Sequence, residues 1–550
     1  MFCLKKTLFA LVLTCALIMG IARADFYVGP ATNLGAIVNS SSGDFQPYVS
    51  PDGLSLYFAS TRPGGSGRED IWVTTRATTG DAWTPPTNLG SSVNNQYWEK
   101  EPCVSADGLT LYFESSRPNG TSNFPHIYFS TRPTIDDPWG WAQNLGQVNR
   151  ECAGPCISAD GLSLFLHSDR AGGIGPVDLY VATRPSPSDD WGPWTTTENL
   201  GKPINSTSVD RSPHVSPDGR VLFFNSNRPG GIGGHDLWMT TRAAEGNPWR
   251  NPVNLGPEIN TIYDDAAPCI SSDGFVLYFN SNRPGGSGHD IWQAPILPVV
   301  DFNGDDKVDG KDVLSMTDSW GTDDSLCDIG PMPWGDGVVD VEDLKVLAGY
   351  IGEPVDDPTL VAHWALDEAG GIIAYDSAGE CNGIVMGRCT WRPAGGQVGG
   401  ALELDGTTYI VLDPVLNPAE GLFSVFAWVQ GGAPGQVLIA QVEGCNWLGI
   451  DSVQGTLTTE LAQPTARMPI PPLISDVLIA DGNWHRVGMV WNGMTRALYV
   501  DDALVAEDVQ PSLASSSGGL NVGCDTDQTA GTFFTGLIDD VRIYNRTIQP

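Results

Sequence analysis

Positive charge is scarce in this sequence: 29 lysines and arginines stand against 65 aspartates and glutamates, a net charge of −36. So acidic a chain repels the phosphates of nucleic acid and an anionic membrane surface, and suits divalent cations and neutral partners instead. Long apolar runs are missing after residue 21, and none approaches the roughly 18 residues that span a bilayer, so no transmembrane anchor is expected. A phosphate-binding glycine loop, a closely spaced histidine pair and a nucleophile beside a base are absent too. Their absence weighs against nucleotide chemistry and triad catalysis, and favours binding over turnover.

What is present begins with a leader. Lys5 and Lys6 precede an apolar run from Leu8 to Ile21, and Ala22-Arg23-Ala24 offers small residues to a signal peptidase. A signal peptide over 1–24 is expected, and with it a secreted or envelope protein. Cys15 follows Thr14 inside the apolar run, which does not favour lipidation. Losing Lys5, Lys6 and Arg23 takes the net charge to −39, and nine of the 11 cysteines remain for an oxidising compartment. Cys381 with Cys389, and Cys445 with Cys524, are candidate disulfides whose connectivity spacing cannot fix.

At 550 residues the chain exceeds what one hydrophobic core supports. From 25 to 297 it repeats a unit of about 55 residues, seen in "SPDGLSLYFASTRPGGSGREDIW" and "SPDGRVLFFNSNRPGGIGGHDLW", with Asp52, Asp107, Asp160, Asp218 and Asp273 marking the period. Each unit holds four short strands: one before the Asp-Gly turn, an aromatic-rich one after it, one after the Pro-Gly-Gly loop, and one at "NLG". Such units without helices predict a five-bladed β-propeller. The lone "FYVGPATNLG" strand at the start would complete the last blade, which ends one strand short at "DIWQAP". These repeats resemble the WD-like repeats of TolB-type propellers, a scaffold that hosts binding proteins and glycosidases alike.

Several positions recur. Arg62, Arg117, Arg170, Arg228 and Arg283 stand some eight residues before Asp70, His126, Asp178, Asp236 and Asp290, which reads as an Arg–Asp pair holding each loop. Asp44, Glu99, Glu151, Asp210 and Asp265 precede the proline of each first strand. They are expected either to ring one mouth as a binding face for a cation or a polyhydroxylated ligand, or to form a solvated rim. Tyr48, Cys103, Cys156, His214 and Cys269 share one inner position, a soft-metal set or simply buried residues. Glu114 and His167 break the repeat where other units carry Ala59, Asn225 and Asn280.

After "APILPVV" comes "DFNGDDKVDGKD". Asp301, Asn303, Asp305, the Lys307 carbonyl, Asp309 and Asp312 occupy positions 1, 3, 5, 7, 9 and 12 of an EF-hand-type calcium loop. Asp306 stands in place of the sharp-turn glycine. A second, enlarged loop carries Asp336, the Val338 carbonyl, Asp340 and Asp343, with Asp328 supplying a further ligand. Ending in Asp and leading into helices, the pair over 298–353 resembles a dockerin module. The resemblance implies Ca²⁺ binding and docking to a cohesin-like protein or cell-surface scaffold through Gly310-Lys311 and Val341-Glu342; a calcium-stiffened spacer is the alternative.

Beyond "EPVDDP", the motifs "LVAHWALDEAGG", "VGGALELDG", "DGNWHRVGMVW" and "FTGLIDDVRIYNRTI" resemble, in family order over 358–550, the laminin-G-like concanavalin-type jelly roll. That implies a carbohydrate or protein ligand. Asp376 and Asp539 match places where some members hold calcium, and Trp447 is a candidate sugar-stacking surface. The whole reads as a mainly β, secreted, non-catalytic adhesion or binding protein for carbohydrate or extracellular protein. A polysaccharide-degrading enzyme using the propeller, and a structural envelope component, are the alternatives.

Overall fold

The computed structural model describes residues 26–550 apart from 119–124, 147–151, 194–195, 323, 325, 354, 356, 420, 462–470 and 549. The expected signal peptide and Glu151 therefore lie outside the described residues. The chain divides into two compact units, Asp25–Val299 with Ser319–Gly349, and Val300–Asp318 with Tyr350–Pro550. The 298–353 segment contributes to both units.

The first unit is built on five antiparallel sheets. Blade one runs Asp44–Val49, Ser55–Ser60, Asp70–Thr75 and Thr87–Asn88, and the next three repeat it. Blade five takes its outer strands from the chain start: Phe26–Val28 and Thr32–Asn33 both pair with Asp290–Pro298, closing the ring by hydrogen bonds between the two ends of the repeat region.

Each first strand carries a bulge just where its proline removes a donor. In blade one, Phe45 faces Ala59 but Tyr48 faces Tyr57, and the same shift recurs in the other four. The residue before the proline, Gln46, Glu101, Gly154, Ser212 or Ala267, adopts a left-handed φ between 49° and 60°. In three of the five a side chain of the preceding blade accepts its N–H: Asn280 Oδ1 from Gln46 (3.0 Å), His167 Nδ1 from Ser212 (3.3 Å) and Asn225 Oδ1 from Ala267 (3.4 Å).

The repeated arginines do not pair with Asp70 and its equivalents. Asp70 instead accepts the N–H groups of Ser66 and Gly67 and the amide of Asn88, fastening the Pro-Gly-Gly loop. Arg62 reaches Asp44 (2.6 Å), Arg117 Glu99 (3.0 Å), Arg228 Asp210 (2.6 Å) and Arg283 Asp265 (2.6 Å). All four acids are fully buried, so they form no solvent-facing ring at a mouth. The expected binding face is corrected to a set of interior ion pairs, with the Arg62 guanidinium lying against Phe58 and Trp72. In blade three Cys152 takes this place and accepts from Arg170 (2.8 Å).

The second unit is a sandwich of two eight-stranded sheets. Its core gathers Trp364, Phe423, Trp447, Phe534 and the inward residues of both sheets. Trp447 is fully buried, which removes it as a sugar-stacking surface. No disulfide links Cys381 to Cys389 or Cys445 to Cys524 among the described residues. The two short helices, α1 (Gly310–Asp318) and α2 (Val341–Ala348), follow the two aspartate loops.

Breaking a buried pair leaves a charge with no partner, at a typical cost of about 3–5 kcal/mol. Arg228→Ala is therefore expected to lower propeller stability by that order in denaturant unfolding, far more than Lys345→Ala at an exposed pair; equal small losses would contradict the assignment.

Candidate functional site

A cavity of about 420 Å³ opens on one side of the bulge ring, and the left-handed residues line it. Because the bulge turns the residue before each proline toward the axis, Gln46, Glu101, Ser212 and Ala267 all face this space. Position 101 carries an acid where the other blades have Gln, Gly, Ser and Ala, and it meets Glu114 of the adjoining strand. The sequence reading singled out Glu114 and His167 and missed Glu101. The signal was available, since Glu101 breaks the repeat as plainly as Glu114 does.

Glu101 Oε1 accepts from Ser212 Oγ (2.9 Å) and Gln46 Nε2 (3.4 Å). Its Oε2 is buried and has no donor, as is true of Gln46 Oε1. His167 Nδ1 stands 3.9 Å from Oε2 but accepts the Ser212 N–H, so the ring proton sits on Nε2. Burial first, then the charge of Glu101, raises the Glu114 carboxyl to about 7. Burial takes His167 down to about 4, leaving a neutral imidazole at neutral pH. Glu101 Oε2 therefore remains a buried acceptor at the cavity wall. Gly154 makes room for this, since a Cβ there would lie 2.7 Å from Glu101 Oε2 and collide with His167 Nδ1.

Deeper along the axis, Pro47, Pro102, Pro155, Pro213 and Pro268 line a narrower neck. Next comes the layer of Tyr48, Cys103, Cys156, His214 and Cys269. These stitch blade to blade: Val49 N–H donates to Cys269 Sγ (3.3 Å), Ile157 N–H to Cys103 Sγ (3.2 Å), Val215 N–H to Cys156 Sγ (3.4 Å), and Tyr48 Oη to the Val104 carbonyl (2.7 Å). Among the described residues no group of three or more His, Cys, Asp or Glu side chains is placed to hold a metal. The layer is therefore an axial seam, with burial pushing the Cys269 thiol up and His214 down to about 4.

The two aspartate loops share one wiring. Asp301 Oδ1 accepts the Gly304 N–H and Oδ2 the Asp306 N–H, both at 2.8 Å. Asp312 accepts from Phe302 and Asp309, also at 2.8 Å. In the second loop Asp328 accepts from Asp336 (2.8 Å) and Gly337 (2.6 Å), while Asp343 accepts from Ile329 (2.7 Å) and Asp340 (2.6 Å). Asp328 thus occupies the place of Asp301. Asp306 takes the left-handed turn (φ 62°) where an EF-hand has glycine. Asn303, Asp309 and Asp340 bond within their own loops, and Asp305 Oδ1 is buried without a partner. Burial raises Asp301 to about 7 and Asp328 to about 6. The first loop is clasped by Arg542, Tyr544 and Arg546 of its own unit, and the second by Arg220, which donates to the Gly335 carbonyl (3.1 Å). The donor types suit calcium, although the side chains satisfy backbone N–H groups and do not converge.

In the jelly roll, Asp376 accepts the N–H groups of His363 (2.9 Å), Ala378 and Cys381 (both 3.1 Å), a turn-forming role. Asp539 accepts from Gln397 (2.6 Å) and Val398 (2.9 Å), and its Oδ1 is buried without a partner. The two acids serve different loops.

Folded, His214 titrates near 4; unfolded, a histidine titrates near 6.5. In that window the unfolded chain holds a proton that the fold refuses, so stability falls as pH drops from about 6.5 to 4. His214→Gln is expected to remove up to about 3 kcal/mol of that acid loss in denaturant unfolding; an unchanged acid slope would contradict a neutral buried ring.

Residues 404–550 match a laminin-G model described as the concanavalin A-like lectin/glucanases superfamily. No curated protein matches the chain. Among solved structures, Trypanosoma rangeli sialidase in complex with the inhibitor DANA is similar at 11% identity over 92% of each chain (TM-score 0.43). TolB from Acinetobacter baumannii is similar at 14% identity over 49% of this chain and 63% of that one (TM-score 0.30). Domain 4 of an extracellular arabinanase from Geobacillus stearothermophilus, in complex with arabinotriose, is similar at 16% identity over 34% and 93% (TM-score 0.24). Likenesses this distant carry no argument about activity. No helix of the described residues is long and apolar enough to cross a membrane. The chain joins a five-bladed propeller to a C-terminal domain similar to concanavalin A-like lectins.

Proposed function

We propose that the chain is a secreted, non-catalytic recognition protein that binds carbohydrate outside the cell. The observation that carries this reading is the propeller mouth, a polar cavity with amides, a hydroxyl and a carboxyl pair on its wall, Trp98 and Phe45 beside them, and two buried oxygens lacking donors. Amides and hydroxyls flanked by aromatic faces suit sugars, whose hydroxyls both donate and accept and whose C–H faces stack on rings. The lectin-type match of the jelly roll supports the same class of ligand at the other unit.

The hydrolase alternative needs two carboxyls held across a scissile bond, about 5–5.5 Å apart in retaining enzymes and about 6.5–9.5 Å in inverting ones, and Glu101 with Glu114 is the place in the propeller to test it.

Calcium enters this reading as a stiffener. Asp301, Asn303, Asp305, the Lys307 carbonyl, Asp309 and Asp312 would hold one ion, and Asp328, Asp336, the Val338 carbonyl, Asp340 and Asp343 another. The ion would neutralise carboxylates that burial now penalises. Because each loop is clasped within its own unit, an internal clip is favoured over cohesin-type docking.

A glycan array probed with the full chain is expected to show binding to neutral glycans, with no reducing ends released. Hydrolysis abolished by Glu114→Gln would overturn the non-catalytic reading. Chelation by EDTA is expected to lower the melting temperature, with a Ca²⁺ response that Asp301→Ala roughly halves; a full response in that variant would show that the first loop holds no ion.

A further inference from the structure

The sequence shows no nucleophile beside a base, but the fold of the second unit assembles one from three separate stretches. Ser377 Oγ stands 2.9 Å from His363 Nδ1, and His363 Nε2 stands 2.8 Å from Asp540 Oδ1. The first pair is 14 residues apart in the chain and the second 177, so neither reads as a motif. We propose that Ser377 is a nucleophilic serine that accepts an acyl group from an ester, with His363 taking its proton and Asp540 orienting the imidazole. The inference goes beyond glycan recognition and does not depend on the propeller mouth.

The hydrogen bonds set the direction of the relay. Asp540 is buried and paired with Arg542, whose Nε lies 3.0 and 3.1 Å from its two oxygens, so its carboxylate only accepts. The ring proton of His363 therefore sits on Nε2, and Nδ1 presents a lone pair to the serine hydroxyl. The other acceptor within reach, the His363 carbonyl, is farther at 3.2 Å and already takes the Ser377 N–H at 2.8 Å. Nor does the turn need this hydroxyl, because Asp376 fastens it by accepting the N–H groups of His363, Ala378 and Cys381.

The backbone is bent where the contact is made. His363 lies on Leu360–Trp364, which runs antiparallel to Thr535–Tyr544. Against Phe423–Gly431 the register of that second strand slips between Asp539 and Arg542. Inside this bulge Asp540 takes a left-handed φ of 50°, a conformation that a non-glycine residue keeps only where its surroundings enforce it. Exposure then rises along the relay, from buried Asp540 through the His363 side chain at 15% to Ser377, which is open to solvent. A serine so placed can meet an acyl group carried on a large molecule.

The step is an acyl transfer. The bond from Ser377 Oγ to the acyl carbon forms as the C–O bond of the ester breaks. The serine proton passes to His363 Nδ1 and then to the departing alkoxide, which leaves as the alcohol, while Asp540 stabilises the transient imidazolium. One chain takes up one acyl group, so the step requires no turnover.

The test treats the full chain with a fluorophosphonate probe, which turns a nucleophilic serine into a stable phosphonate ester with loss of fluoride, and maps the adduct by peptide mass spectrometry. Ser377 is expected to carry the label. In His363→Gln, with circular dichroism confirming the fold, labelling of Ser377 is expected to slow by about a hundredfold. With p-nitrophenyl acetate, wild type is expected to release p-nitrophenolate in a burst that Ser377→Ala loses. Nitrogen-15 NMR is expected to place the His363 proton on Nε2 in the wild type and on Nδ1 in Asp540→Asn, where Arg542 claims the amide oxygen and the NH₂ faces the ring. An unlabelled Ser377 in the wild type, an unchanged rate in His363→Gln, or a wild-type proton on Nδ1 overturns the nucleophile. Equal p-nitrophenolate release by wild type and Ser377→Ala overturns the acyl class.

Discussion

A proline follows a left-handed residue in every first strand of the propeller, and much of this unit depends on that bend. Holding a non-glycine residue there costs on the order of 1–3 kcal/mol, so the surroundings must enforce it. They do so from both ends of the strand. At its start, in four of the blades, a buried acid is gripped by an arginine just past the neighbouring strand, as Asp44 is by Arg62. Across the blade boundary Asn280, His167 or Asn225 takes the N–H that the bulge exposes. Past the proline, the thiol, phenol and imidazole layer ties each blade to the next. The bend then aims the residue before the proline into the cavity, so the interactions that close the ring also build the site.

A chain with so few cations has to manage carboxylates that stand close together, and it uses three devices. In the blades it spends arginines on buried acids. Around the two aspartate loops it turns backbone N–H groups inward, so that Asp301, Asp312, Asp328 and Asp343 are each held by at least two of them. At the mouth Lys100 offsets part of the repulsion, and burial with the Glu101 charge still raises Glu114 to about 7. Among the described residues this arrangement leaves polar atoms facing a cavity, and for that reason ligand recognition is proposed there.

The blades were legible because the repeat states its own period: Asp-Gly turns, aromatic strands and "NLG" recur, and the unpaired first strand announced the closure. Less legible was which partner each arginine takes. Arg62 is nearer in sequence to Asp70, eight residues on, yet strand pairing brings Asp44 against Ser60 and so beside the guanidinium. Glu101 escaped notice because its neighbour Glu99 carried the repeating acid. Which of two acids on adjacent turns of a strand faces the axis depends on a bulge that the pattern of polar and apolar residues does not reveal. Asp328, expected as a ligand of an enlarged loop, accepts backbone N–H groups in the same pattern as Asp301. Trp447 looked available from composition, but its fate depended on which sheet face it met.

Burial and the neighbouring Glu101 charge raise the Glu114 carboxyl at the propeller mouth to about 7. Carbon-detected NMR of the full chain with ¹³C-labelled glutamate carboxyls measures this directly, using Glu114→Gln to assign the resonances. Glu114 is expected to titrate near pH 7. A Glu114 titration in the ordinary glutamate range, near pH 4.3, would contradict it.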